Sequence, residues 1–399
     1  MKTFSLSADH IRKAVIRHRL LLSLVAAFVC LHSFGSAQNT SSLDSIPSAM
    51  HKMIVQNEVP GIVTVVATRD SILRIDAQGW ADPGHKFPMC ADSIFWLASM
   101  TKPVTSVGVL MLMEEGKVSL DDPITRYIPE LGALKTVDGR LPRITLRHLL
   151  THTSGMGEAT DDESKAARNL ADLIPAFAAK PLAFEPGSKW RYSQSGINTL
   201  GRIVEIVSGQ PFDVFLQKRI FDPLGMKDTT FYLTEAQMSR LVIPSKREGD
   251  QLLPAENWLL FGYPATWREH YPAANGGLFS TALDYTRFAQ MLLNGGLLDG
   301  RRYLSEESVR VMSTVQTGNL VTGFTPGNGW GLGVGVVREP QGVTAMLSPG
   351  TFGHGGAFGT QAWIDRKRGV ALIMMIQRSN FKNGDDSPVR LAFQKAALQ

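Results

Sequence analysis

The segment Phe95-Trp96-Leu97-Ala98-Ser99-Met100-Thr101-Lys102 decides the reading of this chain. It passes from an apolar run into Val104, Val107, Leu110, Met111 and Met113, and Gly116 supplies a stop. The density of apolar positions from Thr101 to Glu115 predicts a buried helix with Ser99 at its front edge. Residues three apart share a helix face, so Ser99 and Lys102 project together. A serine hydroxyl is a poor nucleophile unless a neighbouring base takes its proton. A lysine serves only if burial or nearby positive potential lowers its pKa from about 10.4. Phe95 to Ala98 and the positive end of the helix dipole both act in that direction. Ser-x-x-Lys is a weak signal alone, and a second copy, Ser379-Asn380-Phe381-Lys382, opens the polar run to Asp386 and reads as a solvated loop.

Upstream, Leu43 to Val59 reads as a helix, and Gly61–Ala67 and Ile72–Ala77 as a strand hairpin turning at Arg69-Asp70-Ser71. Downstream, residues 119–272 carry short helices broken by Asp122-Pro123, Glu185-Pro186-Gly187 and Asp222-Pro223-Leu224-Gly225. A helix over Leu283–Leu293, β-rich runs at Gly331–Arg338, Gly359–Asp365 and Val370–Ile376, and a last helix at Pro388–Ala397 complete the order. One antiparallel sheet built from both ends of the chain (43–118 and 273–399), flanked by helices on both faces, with an all-helical insertion at 119–272, follows from that order: an α+β fold. A cleft between the two parts is the natural ligand site, and Trp258, Phe261, Tyr263, Trp267 and Tyr271 are its expected lining.

Residues 1–37 carry Lys2, Arg12, Lys13, Arg17 and Arg19, then an apolar run from Leu20 to Phe34 closing on Gly35-Ser36-Ala37. This reads as an export signal, too short for a membrane span, and places the mature protein in the periplasm or outside the cell. Removing it takes five basic residues and one acid from a formal net charge of +5 and leaves +1. A near-neutral body gives no case for a nucleic-acid partner. Cys30 leaves with the signal, so Cys90 has no second cysteine to bridge and the core must carry stability. The oligomeric state is not legible.

Two further patterns can complete the chemistry. In Tyr192-Ser193-Gln194 an aromatic hydroxyl and an amide stand two apart, and the tyrosine can relay a proton to a leaving group. In Gly353-His354-Gly355-Gly356-Ala357 the glycines let an edge strand approach a ligand, with the Ala357 and Ser99 N–H groups as oxyanion donors, each worth roughly 3 kcal/mol of barrier. A metal hydrolase reading of His148 and His152, four apart, fails because Leu149 stands where a zinc-protease helix needs glutamate. No metal or cofactor is expected.

In the order Ser-x-x-Lys, Tyr-x-Gln, His-Gly-Gly, these motifs resemble the serine β-lactamase and penicillin-binding protein superfamily, in its class C-type branch of D-aminopeptidases, DD-carboxypeptidases and β-lactamase-like esterases. His148-Leu149-Leu150-Thr151-His152-Thr153-Ser154-Gly155 and Gly276-Gly277-Leu278-Phe279-Ser280-Thr281 support it, and the likeness spans Leu43 to Ile376. It implies a β-lactamase/DD-peptidase-like fold, with Ser99 acylated, Lys102 as base and Tyr192 moving protons. His354, Gly355, Gly356, Ala357 and Gln194 would bind substrate. Gln194 stands where the family usually has asparagine, and His354 where many penicillin-recognising members have lysine. A largely neutral imidazole holds a carboxylate less strongly than a fixed cation. The expectation is therefore an acyl-enzyme hydrolase of small esters or amides, with D-Ala-D-Ala peptide or β-lactam hydrolysis as the alternative. A sensor that captures acyl groups without turnover is a second alternative.

Overall fold

Along Gly61–Ala67 (β1) every residue is buried, which an antiparallel strand shows only when both faces of its sheet are covered. The computed structural model describes residues 43–136, 138–255 and 262–399. The export signal at 1–37, Cys30, Trp258 and Phe261 lie outside the described residues. With Ile72–Gly79 (β2), Asn328–Trp330 (β3), Gly335–Val337 (β4), Phe352–Gly355 (β5), Gln361–Asp365 (β6) and Val370–Met375 (β7), β1 forms a seven-stranded sheet. The order is β2-β1-β7-β6-β5-β4-β3, with antiparallel pairing throughout. Chain-distant β1 and β7 pair inside the sheet, Val63 opposite Met375 and Val65 opposite Ile373. The sheet is thus assembled from both ends of the chain, as expected.

Alternation sorts the side chains. Ile62, Val66, Leu372 and Met374 pack with Ile46 and Met50 of the helix Ser45–Val55 (α1) and Val389 and Phe393 of the C-terminal helix Pro388–Leu398 (α5). Val63, Val65, Ile373 and Met375 join the larger core with Phe288 and Met291 of Ala282–Leu293 (α4). Helices cover both faces. The buried helix Thr101–Glu114 (α2) and the amphipathic helix Gln194–Ser208 (α3) pack beside one another in the same core.

Three expectations are corrected. The middle section is not all-helical, because Ser245–Glu248 and Gln251–Pro254 form a β-hairpin tied to the C-terminal loop by Ser379 N donating to Ser245 O at 2.8 Å. The run expected at 331–338 opens with a turn and holds only the short strand Gly335–Val337, while its partner Asn328–Trp330 lies before it. The strand carrying His354 is interior to the sheet, but β5 pairs with β4 only at Phe352 and Gly353, so His354 and Gly355 face an opening there. Among the described residues no helix is long and apolar enough to cross a membrane.

Candidate active site

Ser99 sits in a single 3-10 turn, Ala98–Met100, that runs directly into α2. Ala98 holds φ at +46°, a left-handed conformation that costs a non-glycine residue about 1 kcal/mol or more. Neighbours enforce it: Leu97 N donates to Leu278 O (2.8 Å), and the Thr101 hydroxyl donates to Ala98 O (2.7 Å) while accepting from Leu278 N (3.1 Å). The bend leaves Ser99 half-exposed at the mouth of a buried helix.

Lys102 is fully buried, and its Nζ lies 3.1 Å from Ser99 Oγ, 2.9 Å from Gln194 Oε1 and 2.6 Å from Asn275 O. Burial pushes the amine well below its ordinary range, against an opposing pull from the Glu158 carboxylate. A neutral amine has two hydrogens and one lone pair. Gln194 Oε1 and Asn275 O can only accept, so they take both hydrogens and the lone pair is left for the Ser99 hydroxyl. Asn275 Nδ2 also donates to Gln194 Oε1 at 2.8 Å. The Gln194 amide is thereby fixed with its oxygen toward Lys102, and its nitrogen remains for a ligand.

Tyr192 is aligned by its neighbours in sequence. Arg191 N donates to His152 O (3.0 Å) and Ser193 N to His152 Nδ1 (3.2 Å), while the His152 ring packs 4.5 Å from the Tyr192 ring. The buried His152 is a clamp on the tyrosine, and His148 Nδ1 accepts from Thr145 N in a helix cap, so the two histidines serve separate partners. Among the described residues no cluster could hold a metal ion. Glu158, which no motif in the sequence marks, accepts from Gln194 N (3.0 Å) and Ser195 N (2.8 Å) at the start of α3. A carboxylate there is favoured by the helix dipole.

His354 is buried, with Nδ1 2.6 Å from Gly355 O and Nε2 3.2 Å from Tyr192 Oη. A carbonyl cannot donate, so Nδ1 carries the hydrogen and Nε2 accepts from the tyrosine hydroxyl. Burial first, then Lys102 whenever its amine is protonated, pushes this imidazole down to about 4, which keeps it neutral at pH 7. Burial raises the Tyr192 phenol well above its ordinary value, and a hydrogen bond to Ser99 partly opposes that. The phenol is therefore protonated and touches both Ser99 and His354.

Ser99, Tyr192, Gln194 and His354 line one cavity of about 540 Å³, with Gly355, Gly356 and Ala357 on its wall. Lys102 reaches Ser99 from behind. The residues singled out in the sequence as catalytic or substrate-binding are thus together. Two details differ. Ala357 lies in a turn beyond β5, and that turn is closed by Gly356 N to Thr360 O (2.7 Å) and Gly359 N to Gly356 O (2.9 Å). The glycines make room for the chain itself: a Cβ on Gly355 would stand 1.8 Å from Asp385 Oδ1, and one on Gly356 2.4 Å from Leu97 O. The expected aromatic lining is also wrong where described. Tyr263 and Trp267 pack with Arg168, Tyr271 is buried, and none of the three borders the cavity. Phe324, Phe381 and Asp385 border it instead, the last two from the run read as a solvated loop. The second Ser-x-x-Lys is no duplicate site, since the Ser379 hydroxyl donates to Ser245 O (3.1 Å).

The beta-lactamase family model matches residues 46–396. An uncharacterized protein of Mycobacterium tuberculosis is 34% identical over 366 residues, covering 84% of this chain and 90% of its own. Esterase EstB of Burkholderia gladioli is 29% identical over 394 residues, covering 91% and 96%. Among solved structures, EstCE1, described as a hydrolase with promiscuous acyltransferase activity, superposes with a TM-score of 0.80 at 24% identity, over 90% of this chain and 99% of that one.

Proposed function

The chain belongs to the beta-lactamase family of serine hydrolases, and from that premise we propose that it hydrolyses small esters or amides through an acyl-enzyme on Ser99, exported to the periplasm or beyond. The observation that carries this is the hydrogen count at Lys102: two fixed acceptors, Gln194 Oε1 and Asn275 O, turn its lone pair onto Ser99 Oγ. In acylation the Ser99 oxygen bonds the substrate carbonyl carbon as its proton passes to Nζ. The C–O or C–N bond to the leaving group then breaks, the leaving group takes the Tyr192 proton, and the Lys102 ammonium restores it. Water repeats the sequence on the acyl-enzyme. His354 accepts from Tyr192 and so holds the phenol oxygen beside Ser99.

A neutral ester is favoured over a β-lactam or D-Ala-terminated peptide, because those carry a carboxylate and His354 offers no fixed positive charge. The likeness to an esterase across nearly the whole chain supports the same reading. The test incubates the mature protein with a fluorophosphonate, p-nitrophenyl butyrate, a D-alanyl anilide and a chromogenic cephalosporin. Labelling mapped to Ser99, with ester turnover well above cephalosporin turnover, is expected. Faster cephalosporin turnover would reverse the substrate order, and labelling elsewhere would remove the assignment.

The base also fixes a pH dependence. Lys102 must be deprotonated to accept the serine proton, so activity falls as pH drops through its lowered pKa. The Glu158 charge holds that pKa up. Glu158→Gln removes the charge, so the acid limb of log kcat/KM against pH is expected to move to lower pH by about 0.3–1 unit. Weaker capping of α3 is expected to cost about 1 kcal/mol in urea unfolding. A limb that stays in place or moves to higher pH would show that another group titrates.

A further inference from the structure

The loop 381–386 brings a carboxylate into the cavity of Ser99, and nothing in the acyl-transfer chemistry uses it. Asp385 lines that cavity together with Phe324 and Phe381. Its position is built from buried side chains. The Trp363 indole donates to Gln361 Oε1 (2.8 Å), which turns the Gln361 amide so that Nε2 donates to Asp385 Oδ1 (3.0 Å). Arg390, buried and stacked 4.2 Å from the Trp363 ring, donates to the Asp385 backbone carbonyl at 2.6 Å. Asn383 Oδ1 accepts from Asp385 N (3.0 Å), and Asn383 Nδ2 donates to Phe324 O (2.5 Å), tying the loop to the opposite wall. Gly355 completes the seat, since only a residue without a side chain lets Oδ1 lie on β5.

An asparagine would accept the same hydrogen bond from Gln361, so the architecture does not require the charge. Two cations, Lys382 and Arg390, stand near that charge. Lys102 lies behind Ser99 with its hydrogens committed, whereas Lys382, three residues before Asp385, lines the same cavity but is exposed, so solvent screens its charge. Arg390 hydrogen-bonds the Asp385 backbone and its charge also attracts the Asp385 carboxylate, but Arg390 is buried and does not line the cavity, so a ligand there meets the carboxylate first. The carboxylate shares the cavity with Phe324, Phe381 and Tyr192; Arg378 already lies 4.2 Å from the Phe381 ring and Lys102 4.5 Å from the Tyr192 ring, and aromatic faces that stay open favour a cation.

We infer that Asp385 is a specificity-determining residue that selects by charge, admitting ester or amide substrates bearing an ammonium group and rejecting those bearing a carboxylate. This rests on the reading of the cavity as the acyl-binding site. The selection comes from repulsion as much as attraction, because a like charge brought into a partly closed cavity is screened little by salt. It also agrees with the neutral His354, which offers no fixed charge to hold a carboxylate beside Ser99.

The test uses three p-nitrophenyl esters of similar length: hexanoate, the adipate monoester and 5-(trimethylammonio)pentanoate. The kcat/KM ratio of the cationic to the anionic ester is expected to exceed 10 in the wild type and to fall at least tenfold in Asp385→Asn. Asp386→Asn, the adjacent exposed acid outside the cavity, is expected to leave the ratio within twofold. Calorimetric binding of the same charge pair, as non-hydrolysable amides, to Ser99→Ala and to Ser99→Ala/Asp385→Asn reads selection without turnover. A charge ratio that Asp385→Asn leaves unchanged, with hexanoate turnover intact, overturns the inference and spares the hydrolase. Absent turnover with selection retained in binding overturns the hydrolase and upholds the inference.

Discussion

Ser99→Ala is expected to lower kcat/KM for p-nitrophenyl butyrate by about 10⁴-fold or more and to abolish fluorophosphonate labelling. Removing the hydroxyl removes the atom proposed to form the acyl bond, whereas the cavity survives together with the Ala357 and Ser99 N–H groups expected to hold the oxyanion. What remains is binding and oxyanion stabilisation, which in triad hydrolases still leave a residual rate above that in water. Ser99 is half-exposed, so the loss in stability is expected to stay within about 1 kcal/mol. Intact-mass measurement after mixing with substrate separates two outcomes. A transient acyl adduct on the wild type that decays with product release marks an enzyme, and a stoichiometric adduct that persists marks an acyl-capturing sensor. A Ser99→Ala protein within tenfold of wild-type turnover would sink the nucleophile assignment altogether.

The residues at 99, 102, 192, 194 and 354 were legible because each belongs to a short motif whose chemistry is local: a serine and lysine one turn apart, a tyrosine two before an amide, a histidine before two glycines. The sheet was legible for a similar reason, since β1 and β7 are continuous apolar runs bounded by turn residues. The loop at 381–386 was not legible. By composition it is a polar surface segment, and it is drawn to the site by Arg390, Trp363 and Gln361, contacts that exist only after α5 has docked on the sheet. Glu158 was missed likewise, because its partners, the amides of Gln194 and Ser195, lie some 36 residues away. The aromatic run near 263–271 misled for the opposite reason. Large side chains beside an expected cleft read as lining, yet Tyr263 and Trp267 stack with Arg168, away from Ser99. Short-range chemistry survives in sequence, and second-layer supports depend on topology.

Lys102→Met carries the second large effect, an expected fall of about 10³–10⁴-fold in kcat/KM for the same ester. Methionine matches the length of the lysine stem and keeps the buried volume, so the change removes little but the amine. Two acceptors, Gln194 Oε1 and Asn275 O, lose a donor, though Gln194 Oε1 keeps Asn275 Nδ2. Against that loss stands relief of the burial that depresses the amine, so the unfolding midpoint is expected to move little. Two readouts separate a base from a structural lysine. The residual activity should lose the acid limb assigned to Lys102, because the titrating group is gone. The double variant Ser99→Ala/Lys102→Met should be no slower than Ser99→Ala alone, because without the hydroxyl no acyl-enzyme forms and each proton the amine moves in the cycle belongs to a step that no longer occurs. If the two losses multiplied instead, Lys102 would be acting on the substrate directly, and the lone-pair geometry at Ser99 would not be the source of the rate.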